Sequence, residues 1–478
     1  MKRRGRGGPR QPGEYELPPY ARRMVLSLRD MGYDFEQAVA DIVDNSIEAH
    51  AHEVQIEIEF DSRDSWVSIS DDGRGMTAEE VREAMRFGAE REYGEEDLGK
   101  FGLGMKTASF SQCKRLTVAS RASRERSRVS AYKWDLEHIT KTNRWALQPV
   151  NLEELPSPVR DSLETGTGTI VLWQRLDRIL GLKYPQGETA RRRLAQMCRD
   201  LETHLGMVFH RFLAGDIPRR RLRIAINGNN VSPWDPFCRG EAGTKHLKRV
   251  EFTTEGETYS GRVTLDPFIL PAQDAFSSAA AFKAATGPAN WNQQQGFYIY
   301  RANRMIQAGG WCHFRAPDEH TKLARIALDF TRDLDEAFKL NVPKMRVILP
   351  SELRGGIGEA IVPIVSQARQ TYDKGRKRSG SGASGGGTVP RGADSEAPAA
   401  VRFPAPEIST VPLSSKTDPS SIGNDGGEEV LTFDEWTERV IAAAEPSELH
   451  VLRTIVARVR PPPRNTRLPG EGLEETPT

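Results

Sequence analysis

At 478 residues, with 67 Lys+Arg against 66 Asp+Glu and a net charge of +1, the chain is too long for one ordinary domain and too balanced to be a polycation. Any nucleic-acid contact must therefore come from local patches. The four cysteines (Cys113, Cys198, Cys238 and Cys312) have no paired metal spacing, no apolar run approaches a membrane span, and the basic start MKRRGRGGPRQPGE lacks a signal-peptide apolar stretch, so reduced thiols, no membrane partner and a cytoplasmic location are expected.

In chain order, residues 1–16 read as a disordered basic arm. DFEQAVADIVDNSIEAHA (34–51) carries Phe35, Val39, Ile42, Val43 and Ile47 at helical spacing. Asp41 and Asn45, four apart, share one face beside that stripe. A carboxylate there can orient a water and an Asn carbonyl can hold a metal ion; a solvated helix face is the competing reading. EVQIEIEF (53–60) alternates strictly, with Val54, Ile56, Ile58 and Phe60 inward, and WVSISDDG (66–73) follows as a second strand. Its end, DDGRGMT (71–77), places Asp71 at the strand terminus and Gly73 and Gly75 in a tight turn. Thr77 and Glu80 form a capping box for the next helix. DLGKFGLGMKTAS (97–109) gathers Gly99, Gly102 and Gly104 before a helix-like stretch with Lys106; such glycines make either a flexible turn or a backbone cradle for phosphate. GTGTIVLW (166–173) closes this half as a strand.

Residues 189–214 have a helical period through Leu194, Met197, Leu201, Leu205 and Val208. Residues 221–350 read as strands and loops ending in a helix-competent DLDEAFKL, and 351–373 read as helix. A Gly/Ser/Pro-rich linker (376–429) cannot bury enough apolar surface to order itself. Thr432 and Glu435 cap the first of two short helices expected over 430–460, before a disordered tail at 461–478.

The succession Asp-xxx-Asn helix, strand–strand–DxGxGM, GxxGxG opening a helix, then GTGT resembles the GHKL ATPase superfamily: heat-shock-90-type chaperones, MutL, type II topoisomerases and MORC proteins. The likeness covers roughly residues 20–180, and DNSIEA, DDGRGM and GKFGLGMK look most like the MORC and MORC-like bacterial branch. It implies an α+β protein: a GHKL ATPase α/β sandwich (17–185), a mixed sheet with helices on one face, then an S5-like α/β transducer domain (186–375). By the resemblance, Asp71 accepts the adenine amine, and Gly73, Gly75 and Met76 line the base and sugar. Gly99, Lys100, Phe101, Gly102, Leu103 and Gly104 form the phosphate loop, at the hinge of a lid over 88–99. Lys106 adds charge to that cradle, Thr169 supports Asp71 through its hydroxyl or a water, and Asn45 supplies an oxygen to Mg²⁺. The general base of the family is Glu; Asp41 stands in its place, one methylene shorter, so turnover is expected to be slow.

The second half adds GFYIYRANRMIQAGGW (296–311), a strand entering a turn with Asn303 and Arg304, and ALDFTRDLDEAFKLNVPKMRVILP (327–350). Both look like the MutL transducer, which implies Lys344 on the γ-phosphate of ATP. TARRR (189–193), IPRRRLR (217–223), GRKR (375–378) and the amino-terminal arm are candidate phosphate contacts, with Arg219, Arg220 and Arg221 the chief ones. Aromatics are not interleaved with them, so base stacking is not indicated. The expected function is Mg-dependent ATP binding and hydrolysis driving lid closure and homodimerisation, as a clamp on double-stranded DNA. A chaperone-like remodeller of protein clients, or a nucleotide sensor acting through an effector protein, are the alternatives. A histidine kinase would need a His-bearing dimerisation helix ahead of these motifs, and a topoisomerase a tyrosine-bearing cleavage domain after them.

Overall fold

The computed structural model describes residues 17, 19–30, 32–88, 104–122, 128–179, 187–255, 260–339 and 347–381. The chain divides into a unit Met1–Val401 and a unit Arg402–Thr478, and every described residue belongs to the first. The lid beyond Gly88, the loop residues Gly99, Lys100, Phe101, Gly102 and Leu103, Lys344, and the arm, the linker beyond Ser381 and the carboxy-terminal hairpin lie outside the described residues.

The first layer contains α1 (Ala21–Arg29), α2 (Phe35–Glu48), β1 (Glu53–Glu59), β2 (Trp66–Asp71), α3 (Ala78–Ala84), α4 (Gly104–Gln112), β3 (Arg115–Arg121), β4 (Ser130–Asp135), α5 (Leu136–Thr142), β5 (Gln148–Pro149), α6 (Ser157–Thr165) and β6 (Gly168–Gln174). It continues through α7 (Glu188–Val208), α8 (His210–Ala214), β7 (Arg223–Ile226) and β8 (Asn229–Asn230). The eight strands form one mixed sheet in the order β5-β4-β3-β6-β2-β1-β7-β8, in which only β1 and β7 run parallel. Alternation explains the two faces of this sheet. Val54, Ile56, Ile58, Val67 and Ile69 turn to the main core, where they meet Val39, Val43 and Ile47 of α2. Ala119, Ala131, Ile170 and Leu172 turn the other way, onto Val159 and Leu163 of α6. The capping box of α3 forms as its residues predict: Thr77 Oγ1 accepts from the Glu80 N–H at 3.3 Å and the Thr77 N–H donates to Glu80 Oε2 at 2.7 Å.

A second sheet follows, from β9 (Lys245–His246), β10 (Val250–Glu255), β11 (Ser260–Ile269), α9 (Ala279–Ala285), β12 (Gly296–Arg301), β13 (Arg304–Ala308), β14 (Ala324–Phe330) and α10 (Ser351–Ser381). Its order is β10-β11-β14-β12-β13, with β9 paired to β11 and β12 parallel to β14. Leu353, Ile357, Ile361 and Ile364 of α10 cover one face, packed on Val263, Leu265, Phe297, Ile326 and Leu328. On the other face Tyr298, Tyr300, Phe268 and Ala327 gather around Phe237.

Three expectations change. The boundary at 185/186 does not separate the sheets: β7 pairs in parallel with β1 (Glu53 opposite Arg223), and Leu194, Leu201, Leu205, Phe209 and Phe212 lie in the first core. Strand periodicity in 221–230 says nothing about which sheet a strand joins, so this could not be read in advance. The helix expected over 351–373 runs on to Ser381, through the basic GRKR stretch, whose charges suit a helix carboxyl end. Within DLDEAFKL the described residues 333–339 form no α-helix but a 3₁₀ turn, Arg332–Leu334, followed by further turns, and the Phe338 ring stacks on Phe330 at 4.1 Å. All four cysteines are free thiols, as expected. Among the described residues no helix is long and apolar enough to cross a membrane.

Candidate nucleotide site

The sequence places two acidic positions on neighbouring elements, and the fold brings both to one end of the first sheet. Asp71 ends β2, and its strand partner in β6 is Thr169. Its Oδ2 accepts from the Ser46 hydroxyl at 3.1 Å and its Oδ1 from the Gly73 N–H at 3.0 Å. Burial pushes the carboxyl up to about 6 against the pull of these bonds and of the Thr169 backbone N–H. The folded chain therefore binds more protons than the unfolded chain between roughly pH 4 and 6, so stability falls as pH rises through that window, by about 3 kcal/mol. Every protein group on this carboxylate is a donor, so the carboxylate remains an acceptor for one more, such as an exocyclic amine.

Two glycines hold that turn where it is. A methyl group on Gly75, at φ +64°, would lie 1.9 Å from the Arg121 carbonyl oxygen, and one on Gly168, at φ +138°, would lie 1.8 Å from the Asp71 carbonyl oxygen. Ser120 ties the same pieces together. Its Oγ accepts from the Met76 N–H at 2.8 Å, donates to the Gly168 carbonyl at 2.8 Å and touches Thr169 Oγ1 at 2.9 Å. The Thr169 hydroxyl is thus engaged with Ser120, and it is its backbone N–H, not the hydroxyl, that reaches Asp71.

Asp41 lies two helical turns into α2 and is buried. Its Oδ2 accepts from the Tyr33 hydroxyl at 2.8 Å, while its Oδ1 lies 3.5 Å from Nη2 of Arg304, an arginine from β13. The start of α4 closes on it: a methyl group at Gly104 would be 3.5 Å from Asp41 Oδ2. The carboxylate predicted as base thus sits at the amino end of the helix that the glycine loop opens, where backbone N–H groups suit phosphate. Asn45 is exposed, and its Nδ2 donates to the Asp41 carbonyl at 2.9 Å, which leaves its amide oxygen for a ligand.

Lys106 departs from expectation. Its Nζ is buried and donates to the Ala84 carbonyl at 2.8 Å, at the end of α3, and burial lowers its pKa to about 8. It therefore ties the start of α4 to the end of α3 in this conformation. Residue spacing also gave no sign of Tyr33 or Ser120, and Ser46 was marked only as a hydroxyl adjacent in sequence to Asn45.

The sequence of residues 33–169 matches the family described as histidine kinase-, DNA gyrase B-, and HSP90-like ATPase, which supports a GHKL-type ATPase domain in this part of the chain. ATPase morc-1 of Caenorhabditis elegans is similar to it, 30% identical over 86 residues, which are 18% of this chain and 10% of that protein. The match thus spans about a tenth of the relative's length.

Proposed function

We propose that the chain binds Mg-ATP at this end of the first sheet and hydrolyses it, and that the bound nucleotide drives lid closure, homodimerisation and retention of double-stranded DNA. The observation that carries the reading is the closeness of Asp41 to the amino end of α4 while Asp71, at the end of β2, offers an acceptor in a glycine turn. In this reading Asp41 takes a proton from the attacking water, and its Tyr33 bond fixes which oxygen is presented. Met76, Gly73 and Gly75 line the base, the loop 99–104 surrounds the phosphates, and Lys344 meets the γ-phosphate. Asn45 fits Mg²⁺, which takes few protein oxygens and keeps phosphates and waters, and there it would neutralise phosphate charge. No cluster of three or more His, Cys, Asp or Glu suited to a metal ion occurs among the described residues.

The DNA reading draws on surface charge. Arg191, Arg192 and Arg193 are exposed on α7, as are Arg219 and Arg221 in the loop before β7, with Arg220 half-buried. The test is ATP turnover with and without duplex DNA, together with oligomer mass in a non-hydrolysable analogue. A dimer that retains DNA, with a log–log salt slope of about −0.9 per phosphate contacted and a flatter slope after Ala replaces Arg219, Arg220 and Arg221, is expected. Turnover indifferent to DNA and no retention at low salt would exclude the clamp, leaving a chaperone-like or sensor role.

Proton linkage at Asp71 gives an independent expectation. Only the ionised carboxylate accepts well from an amine, so ATP affinity is expected to be flat above pH 6 and to weaken about tenfold per unit below it. Calorimetric titration from pH 5 to 8 checks this; an affinity constant across that range would remove Asp71 from the adenine site.

A further inference from the structure

The turn between β12 and β13 is short and strained. Ala302 and Asn303 both have positive φ, 45° and 68°. Around it the protein has built supports. Arg301 pairs with Asp335 through Nε at 2.7 Å and Nη2 at 2.8 Å, and Arg211 of α8 donates to Asn303 Oδ1 at 3.2 Å while gripping Asp329 at 2.5 and 2.9 Å. The next residue, Arg304, is 3% exposed and leaves its own sheet altogether. Its Nε donates to Asp44 Oδ1 at 2.8 Å, and its Nη2 lies 3.5 Å from Asp41 Oδ1. Asp41 and Asp44 are one helical turn apart on α2, so one guanidinium serves both carboxylates.

Groups from every neighbouring element define this cluster. Tyr33 precedes α2 and holds the other oxygen of Asp41. His204 of α7 is half-buried and kept neutral, its pKa lowered to about 4 by desolvation and by the charge of Arg304. Lys106 of α4 is engaged with Ala84, and Asp71 of β2 with Ser46 and Gly73. Arg304 is thus the cation among these groups that pairs with Asp41, and it comes from the second sheet. With Nε on Asp44 and Nη2 toward Asp41, it is oriented as a carboxylate partner, unlike a cation waiting for phosphate.

We propose that Arg304 is a positioning residue for hydrolysis: it carries the placement of the second sheet to the Asp41 carboxylate, so that turnover requires the β12–β13 turn to be docked on α2. This rests on the reading of Asp41 as the base. A displacement of about 1 Å at a reacting group can cost 10²-fold in rate, which is the scale a lost guanidinium contact can reach. Nucleotide affinity is set elsewhere, at Asp71 and the phosphate loop.

The experiment uses the full chain with Arg304→Met, Arg304→Lys, Asp44→Asn, Asp41→Asn and the Arg304→Met/Asp41→Asn pair, measuring kcat, KM and calorimetric ATP affinity. Arg304→Met is expected to lower kcat by about 10- to 100-fold with ATP affinity unchanged. Arg304→Lys should recover most of that loss, Asp44→Asn should lower kcat in the same sense, and in the Asp41→Asn background Arg304→Met should cost nothing further. An unchanged kcat in Arg304→Met, or additive losses in the pair, would overturn the proposal. If Arg304→Met does not fold, an unchanged kcat in Asp44→Asn overturns it in the same way. Normal turnover in Asp41→Asn would instead refute the base assignment, so the two failures are distinguishable.

Discussion

Asp41→Asn is expected to lower ATP turnover by about 10²–10⁴-fold while ATP affinity is retained. The amide has the shape of the carboxylate, so Tyr33 can still donate to it and the start of α4 keeps its place. What is lost is the ability to take a proton from water. Because the side chain is a methylene shorter than Glu, its oxygen must be brought to the water by the backbone, and a methyl group at Gly104 would already be in van der Waals contact with it at 3.5 Å. Single-turnover hydrolysis alongside calorimetry checks the split; a variant that hydrolyses at the parent rate would mean that another group is the base.

Asp71→Asn is expected to abolish measurable ATP binding. The carboxylate collects donors from Ser46, Gly73 and Thr169, and an adenine amine would be another. An amide set among donors must turn its own NH₂ toward one of them and offers the base a single, misdirected oxygen. Losing a hydrogen bond to a charged acceptor costs about 1.5–3 kcal/mol, more when a buried donor is left unmatched. Removing the charge also removes the destabilisation that accompanies it at neutral pH, so the variant should melt no lower than the parent. Unchanged affinity by calorimetry would refute the assignment. A melting point that falls sharply would show instead that the position is structural.

The legible parts of the molecule are those written in local spacing. The α2 stripe is a 3.6-residue period, the β1 alternation is a two-residue period, and Thr77 with Glu80 is a contact three residues long, so each could be read from a few neighbours. The places of Asp41 and Asn45 on α2 and of Asp71 at the end of β2 follow from helix spacing and a strand end. The illegible parts depend on long-range contact. Arg304 reaches across 260 positions to Asp44, Ser120 across 44 to Met76, and β7 joins β1 from the far side of α7. No local period shows that the Lys106 ammonium reaches the Ala84 carbonyl, 22 positions away.

The parallel pairing of β7 with β1 also decides how this protein can be divided. A fragment ending at residue 185 would leave β1 with an open hydrogen-bonding edge and strip Leu201, Leu205 and Phe209 from the core they complete. Such a fragment would stick to itself through that edge, and its self-association would be mistaken for a nucleotide-dependent one. The smallest autonomous ATPase piece has to extend to Val231, whose side chain closes the same core. Because α8, inside that piece, also grips the second sheet through Arg211 and His210, no single scission frees one half from the other without severing a structural tie.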